Sequence, residues 1–273
     1  MATHMHRRVE TVRRFLMRIL EFMHSLHRTI AQRLSPFNLR NLDDCCTLAL
    51  AMLILFMASR AMADDYAKSL EIELQAGLER VARDAANPNL LIKIATLYLD
   101  LGDEVYDEKQ KRLVAYEQGA GFAMRALEMR ETSAEAHFLY AANLGSAAQL
   151  KGRVASAGVV QTLKRHLQRA LELQSDHAPA LHMMGVMLDE LPWFLGGDRK
   201  AALESVKRAV TVDPNYASAR LDLAKMYLKR KDTQSARREL STLVDLQDPH
   251  GRHAWAARYR PEGLRLLEEL GND

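Results

Sequence analysis

Residues 163–243 read LKRHLQRALELQSDHAPALHMMGVMLDELPWFLGGDRKAALESVKRAVTVDPNYASARLDLAKMYLKRKDTQSARRELSTL, and the rest of the chain is organised around them. Two phrases in this stretch, Arg169-Ala170-Leu171-Glu172-Leu173 and Arg208-Ala209-Val210-Thr211-Val212-Asp213-Pro214, echo a third upstream, Arg125-Ala126-Leu127-Glu128-Met129. After each comes an alanine-rich helix start: Ala134-Glu135-Ala136-His137, Ala178-Pro179-Ala180-Leu181 and Ala217-Ser218-Ala219-Arg220. The recurrence predicts a helical repeat array.

Working outward, composition agrees. Alanine, leucine, glutamate and arginine are abundant and aromatics make up only 6% of 273 residues, a mix that favours helices because unbranched side chains lose little rotamer freedom there. Alternating β-branched runs bounded by turns, the mark of strands, are missing. The net charge of +3 is uneven: residues 1–63 hold nine arginines, no lysine and four acids, a net +5, which leaves −2 for the other 210 residues. A basic N-terminus is poor grounds for nucleic-acid binding by the body, and none is expected. Cys45 and Cys46 also lie in that N-terminal piece, so disulfides and thiolate metal sites are excluded from the body.

The repeats fit a known pattern. With Ala217 as position one, Ala224, Tyr227, Ala236, Leu240 and Leu243 fall at positions 8, 11, 20, 24 and 27. Those are the small, aromatic and apolar positions of a tetratricopeptide repeat, whose second helix closes on an Asp-Pro such as Asp213-Pro214. Ala178 heads a second match (Met184, Gly185, Leu188), Ala134 a third (Tyr140, Ala141, Leu144) and Pro88 a weaker fourth (Ile94, Leu97, Leu101). Small residues are needed because antiparallel helices approach closely only where alanine or glycine faces alanine. The expected fold is all-α: a tetratricopeptide-like superhelical solenoid of antiparallel helix pairs. It should begin with an amphipathic helix over Asp64–Asp84, break at Ala85–Asn89, and continue in helices over Leu90–Leu101 and Leu113–Met129. A loop or solvated helix surface is expected at Asp103–Arg112. Trp255, Tyr259 and a C-terminal helix from Pro261 to Leu270 should cap the open end.

The spacing is irregular. Ala126 to Ala170 spans 44 residues and Ala170 to Ala209 spans 39, against about 34 for the ideal repeat. The two insertions fall at Lys151–Thr162 and Leu191–Asp198. Lys151-Gly152-Arg153, His166-Leu167, Ala180-Leu181-His182 with Gly185, and Pro192 followed by Leu195-Gly196-Gly197-Asp198 together resemble one branch of tetratricopeptide proteins. That branch holds the T-component proteins of bacterial TRAP transporters and the eukaryotic regulators of microtubule dynamics, and the similarity covers roughly residues 117–270. It implies a non-enzymatic periplasmic subunit that associates with a substrate-binding protein. In the Leu-Gly-Gly-Asp turn, Gly196 and Gly197 let the chain reverse sharply and Asp198 caps the helix that begins at Arg199.

No catalytic constellation is present, and no cofactor is expected. Lys151-Gly152-Arg153 lacks the frame of a phosphate loop, and no serine or cysteine has a nucleophile's context. His250 and His253 have ligand spacing without a carboxylate to complete a metal set. Carried over from the family geometry, the concave groove would be lined by Glu135, Phe138, His182, Asp189, Glu190, Lys225 and Lys229. Acids on one repeat would then face lysines on the next, either as a charge-divided face for an extended peptide or protein edge, or as ordinary solvated charge. Arg153 marks the first insertion as a binding candidate. Trp193 and Phe194, beside the Gly-Gly turn, either plug the stack, the expected arrangement, or protrude as a hot spot. A small apolar ligand inside the solenoid is a further candidate partner.

The N-terminal piece reads separately. Thr47–Ser59 is uncharged and apolar but short of the roughly 20 residues a bilayer span takes. With Ala61-Met62-Ala63 and the acids after it, it spells an export signal cleaved after Ala63 and a periplasmic body over residues 64–273. The alternative is an uncleaved membrane anchor through Thr47–Ser59. No cysteine follows the small residues, so a lipid-anchored form is not supported. Residues 1–46 form a basic leader whose Val9, Val12, Leu16, Ile19, Met23, Leu26 and Ile30 make a heptad seam. A start assigned too far upstream, a helix lying on an anionic membrane, and an organelle transit sequence all account for it.

Overall fold

The computed structural model describes residues 65–84 and 86–271, so the expectations for residues 1–63 lie outside the described residues. Helix α1 covers residues 65–83. It is followed by α2 (Pro88–Asp100), α3 (Lys109–Met129), α4 (Ala134–Lys151), α5 (Arg153–Leu173) and α6 (Ala178–Glu190). After a 3-10 turn at Trp193–Leu195 come α7 (Arg199–Val212), α8 (Ala217–Lys229) and α9 (Thr233–Val244). A single helical turn, Arg252–Ala254, then runs through the π-helical segment Trp255–Tyr259 into α10 (Arg260–Gly271). Among the described residues there is no strand.

Each helix packs chiefly on its chain neighbour: α2 with α3, α4 with α5, α6 with α7 and α8 with α9. The alanines of the repeat pattern are where they touch. Ala126, Ala136, Ala141, Ala170, Ala180, Ala209, Ala219, Ala224 and Ala236 are fully buried. Gly185 shows how close the approach is, since a Cβ there would sit 2.4 Å from Cγ2 of Val206 and 2.9 Å from the carbonyl oxygen of Ala202. Between these contacts Leu91, Ile94, Leu101, Leu139, Leu167, Leu240 and Leu243 fill the core. Each such side chain stabilises by about 1.5–3 kcal/mol on burial.

Local signals set the boundaries. Asn87 caps α2 by accepting from the amide of Leu90, with Pro88 in the first turn. Ser133 caps α4 through the amide of Ala136, and Asp232 caps α9 through that of Ser235. His177 caps α6: its Nδ1 accepts from the amide of Ala180 at 3.2 Å.

The structure adds detail at three places. The charged stretch after α2, expected as a loop or solvated helix surface, is partly helical: the chain continues through Gly102 as a π-helical turn, Leu101–Val105, and α3 begins at Lys109. The insertion at residues 151–162 is helical. One residue, Gly152 at φ 109°, separates α4 from α5, and residues 153–162 extend α5 at its N-terminus. Finally, the C-terminal segment does more than cap. Leu266 and Trp255 close the end of the stack over Leu240 and Leu243, with the Trp255 indole donating to the carbonyl of Leu243 at 2.8 Å. The same segment also reaches back to the first helix: His253 stacks on Tyr66, ring centroids 4.5 Å apart.

Candidate functional site

The side chains expected to line a groove pair with one another across repeats. Asp189 on α6 receives Lys229 of α8 at 2.7 Å and Arg230 at 3.7 Å, and its side chain is only 4% exposed. Glu190 lies 3.9 Å from the same lysine. His182 of α6 faces Asp222 of α8 (Nε2 to Oδ2, 2.8 Å), which leaves Nδ1 to accept from the Tyr216 hydroxyl at 3.3 Å. Lys225 of α8 meets Glu262 of α10 at 3.4 Å. The Glu262 carboxyl is held down at about 2, first by its hydrogen bond to Arg265 and then by Lys225. Glu135 of α4 accepts from Nε2 of His177 at 2.8 Å, and the imidazole also packs against Phe138. These charges are paired across repeats, while Lys229 and Glu190 stay largely exposed to solvent. Together they form a ladder that fixes each helix pair against the next.

The second insertion is a rigid turn. Its amides are tied down one after another: Leu195 and Gly197 donate to the carbonyl of Pro192, Gly196 to that of Trp193, and Asp198 to that of Leu188. Gly196 takes the left-handed region at φ 89°. At Gly197 a Cβ would lie 1.8 Å from the carbonyl oxygen of Leu191, so no larger residue fits. Asp198 caps α7 as expected, accepting from the amides of Lys200 and Ala201. The aromatics do not plug the stack. Trp193 is 84% exposed, Phe194 66% and Leu195 45%, the two rings edge to face with centroids 5.9 Å apart. The four turn bonds hold the backbone of this loop, and both rings project into solvent from it.

The first insertion builds a groove. Residues 153–162 of α5 stand beside the C-terminal turns of α4 and the middle of α3. Between them lies an open, mainly apolar cavity of about 410 Å³, floored by Ala120, Ala147 and Ala148 and walled by Leu144, Ala155 and Val159. Lys151 and Glu117 close one side with an ion pair at 2.6 Å. Val154 stands at the start of this wall, 90% exposed. Arg153 is exposed in the first turn of α5, with no hydrogen bond or ion pair among the described residues.

Sequence reasoning placed His137 as groove-facing or partly buried, but missed its pairing with His166 and a second polar cluster. His137 and His166 meet through their Nδ1 atoms at 2.9 Å, and His137 Nε2 donates to the carbonyl of Glu131 at 2.9 Å. A carbonyl only accepts, so His137 keeps its proton on Nε2 and its Nδ1 accepts from His166. Burial and the neighbouring His137 and Arg165 push His166 down to about 4. The second group is the π-helical turn after α2. Asp100 is pushed up to about 7 by burial and by Glu104, Asp103 and Glu73. Asp103 accepts from the Tyr116 hydroxyl at 2.6 Å, and Glu104 accepts from that of Tyr66 at 2.9 Å. His253 approaches Glu104 at 3.6 Å. His250 turns instead to Asp213 at 2.6 Å, so these two histidines do not converge. The one advance signal was the apolar run around His166; the acids meet their partners only through long-range folding.

Among the described residues, no group of three or more His, Cys, Asp or Glu is placed to hold a metal. What the molecule offers is a stitched helical framework, an apolar groove and a protruding aromatic turn.

Comparison with known proteins agrees with that architecture. Residues 195–258 match the tetratricopeptide repeat family, and residues 58–188 match the family described as regulator of microtubule dynamics protein 1-3. The chain has the fold of a tetratricopeptide-repeat solenoid, with a match to that family's model in its C-terminal third. It is also similar to regulator of microtubule dynamics protein 1. Identity is 30% with the Bos taurus protein over 54% of this chain and 51% of that one, and 30% with the Mus musculus protein over 64% and 63%. The chain thus spans between half and two thirds of these curated relatives. Among solved structures, a thermophilic TPR protein in Thermus thermophilus superposes with a TM-score of 0.55 at 15% identity. It covers 72% of this chain and 91% of that one, a likeness of fold.

Proposed function

We propose that this chain is a non-catalytic scaffold that holds an apolar segment of a protein partner in the groove between α3, α4 and the N-terminal extension of α5. One observation carries the reading: an open, mainly apolar cavity of about 410 Å³, lined by alanines and walled on one side by the N-terminal extension of α5. Alanine and glycine let a partner's backbone come close, and apolar side chains laid there leave water at about 25 cal/mol for each Å² covered. The cross-repeat ion pairs, being satisfied within the molecule, leave the concave charges a supporting part.

Partner identity belongs to the same proposal. The resemblance to TRAP T-components supports an exported protein, cleaved after Ala63, whose partner is a substrate-binding component. The relatives named for microtubule dynamics support a scaffold in a different setting. A small apolar ligand is the second reading, favoured by the size and lining of the same cavity.

A groove-filling substitution tests the scaffold. A Cβ on Gly158 meets nothing within 4 Å, so Gly158→Leu occupies the groove without disturbing the helices. A photo-crosslinker at Ala155 should capture a protein that Gly158→Leu loses and that Lys225→Ala/Lys229→Ala keeps. Equal capture by Gly158→Leu sinks the proposal, and a small molecule seen by native mass spectrometry in the wild type alone would favour the second reading. Intact mass from the native host checks cleavage after Ala63.

A further inference from the structure

The turn at Trp193–Leu195 is built to stay exposed. Four backbone hydrogen bonds, a glycine with no room for a side chain and a capped helix hold it. Keeping a tryptophan, a phenylalanine and a leucine largely in water is unfavourable, and none of the three belongs to a core cluster. The residues around it specify what covers it. The ammonium of Lys164 lies over the turn, 3.6 Å from where a Gly196 Cβ would be. Arg199 and Lys200 follow directly in the first turn of α7 and are exposed. None of the three cations makes an ion pair with an acid among the described residues. The nearby acids are engaged, Asp198 as the helix cap and Glu190 beside Lys229.

We propose that this turn docks on an anionic lipid surface, with Trp193 and Phe194 entering the interface and Lys164, Arg199 and Lys200 resting on headgroup phosphates. A compact tip of two aromatics and a leucine, ringed by unpaired cations, fits the boundary between headgroups and acyl chains. Indole and phenyl rings partition there, and each nearby cation adds attraction to anionic lipid. The body thereby has a lipid contact of its own, separate from the groove between α3, α4 and α5.

The test uses the full chain with vesicles of phosphatidylcholine alone or mixed with phosphatidylserine. The difference in fluorescence between wild type and Trp193→Phe isolates Trp193 from Trp255, and an 84% exposed position tolerates the change. Trp193 should shift to shorter wavelength and be quenched by brominated acyl chains with anionic vesicles only. Phe194→Ala should weaken vesicle binding by Trp193's own readout about ten-fold. Lys200→Gln should do so about five-fold, an effect that vanishes in high salt. A Trp193 that stays open to aqueous quenchers while the protein sits on vesicles overturns the proposal, whatever the N-terminal residues do. So does a blue shift without vesicles that grows with protein concentration, since that would mean the turn is covered by a second copy.

Discussion

His253 stacks on Tyr66, with ring centroids 4.5 Å apart and planes 18° from parallel, so the last segment of the chain closes on the first described helix. In a plain repeat array each unit touches only its neighbours and the ends fray independently. Here the Tyr66 hydroxyl and the His253 ring both address Glu104, and the two ends share one contact. His253→Ala should cost about 1 kcal/mol, in line with an aromatic pair. Hydrogen exchange should speed up in α1 and α2 as well as around residue 253. Acceleration confined to the C-terminal segment would show that the contact does not couple the ends.

The pH dependence of stability has two opposed parts. His166 is held neutral with its titration near 4, below its unfolded value near 6.5, so the unfolded chain binds the proton first. Its contribution is therefore present above about 6.5 and lost as pH falls toward 4. Asp100 titrates near 7 in the fold and near 3.8 unfolded, so the fold binds the proton first. Its contribution grows as pH falls from about 7 toward 4. Asp100→Asn should stabilise the protein at pH 8, by about 1 kcal/mol, and not at pH 4. His166→Gln should flatten the loss between pH 6.5 and 4. Both follow from denaturant midpoints taken across that range.

Glycines at close approaches should separate cleanly from glycines in open space. Gly185→Ala and Gly197→Ala both force a Cβ into backbone atoms and should each cost about 2 kcal/mol or more. Gly158→Ala meets nothing within 4 Å in a helix and should stabilise by up to about 1 kcal/mol. Melting temperatures of the three variants decide the matter.

The ladder between repeats should show up as stability. Lys229→Ala with Arg230→Ala leaves the buried Asp189 carboxylate without either cation, and a loss of about 3 kcal/mol is expected. Asp198→Ala removes one helix cap and should cost about 1 kcal/mol. Chemical denaturation measures both.

The sequence made the helices legible because the repeat pattern is local. Ala217, Ala224, Ala236 and Leu243 sit at fixed helical spacings, and all four are buried where the pattern puts them. Asp198 was readable as a cap for the same reason. Trp193 and Phe194 were not, because hydrophobicity alone does not distinguish a plug from a protrusion; the hydrogen bonds of the turn decide that. For Lys225 and Lys229 the sequence could not name partners, because Glu262 and Asp189 lie on other helices. The pairs His137–His166 and Tyr66–His253 depend on how whole repeats stack.

Gly152 alone joins α4 to α5, two of the longest helices, while the contact between Tyr66 and His253 ties the ends of the stack. A coil spring stretches because its two ends are free to move apart. Clasped end to end, this one resists extension until the clasp yields, and a pull on either terminus reaches α4 and α5 only after that first release.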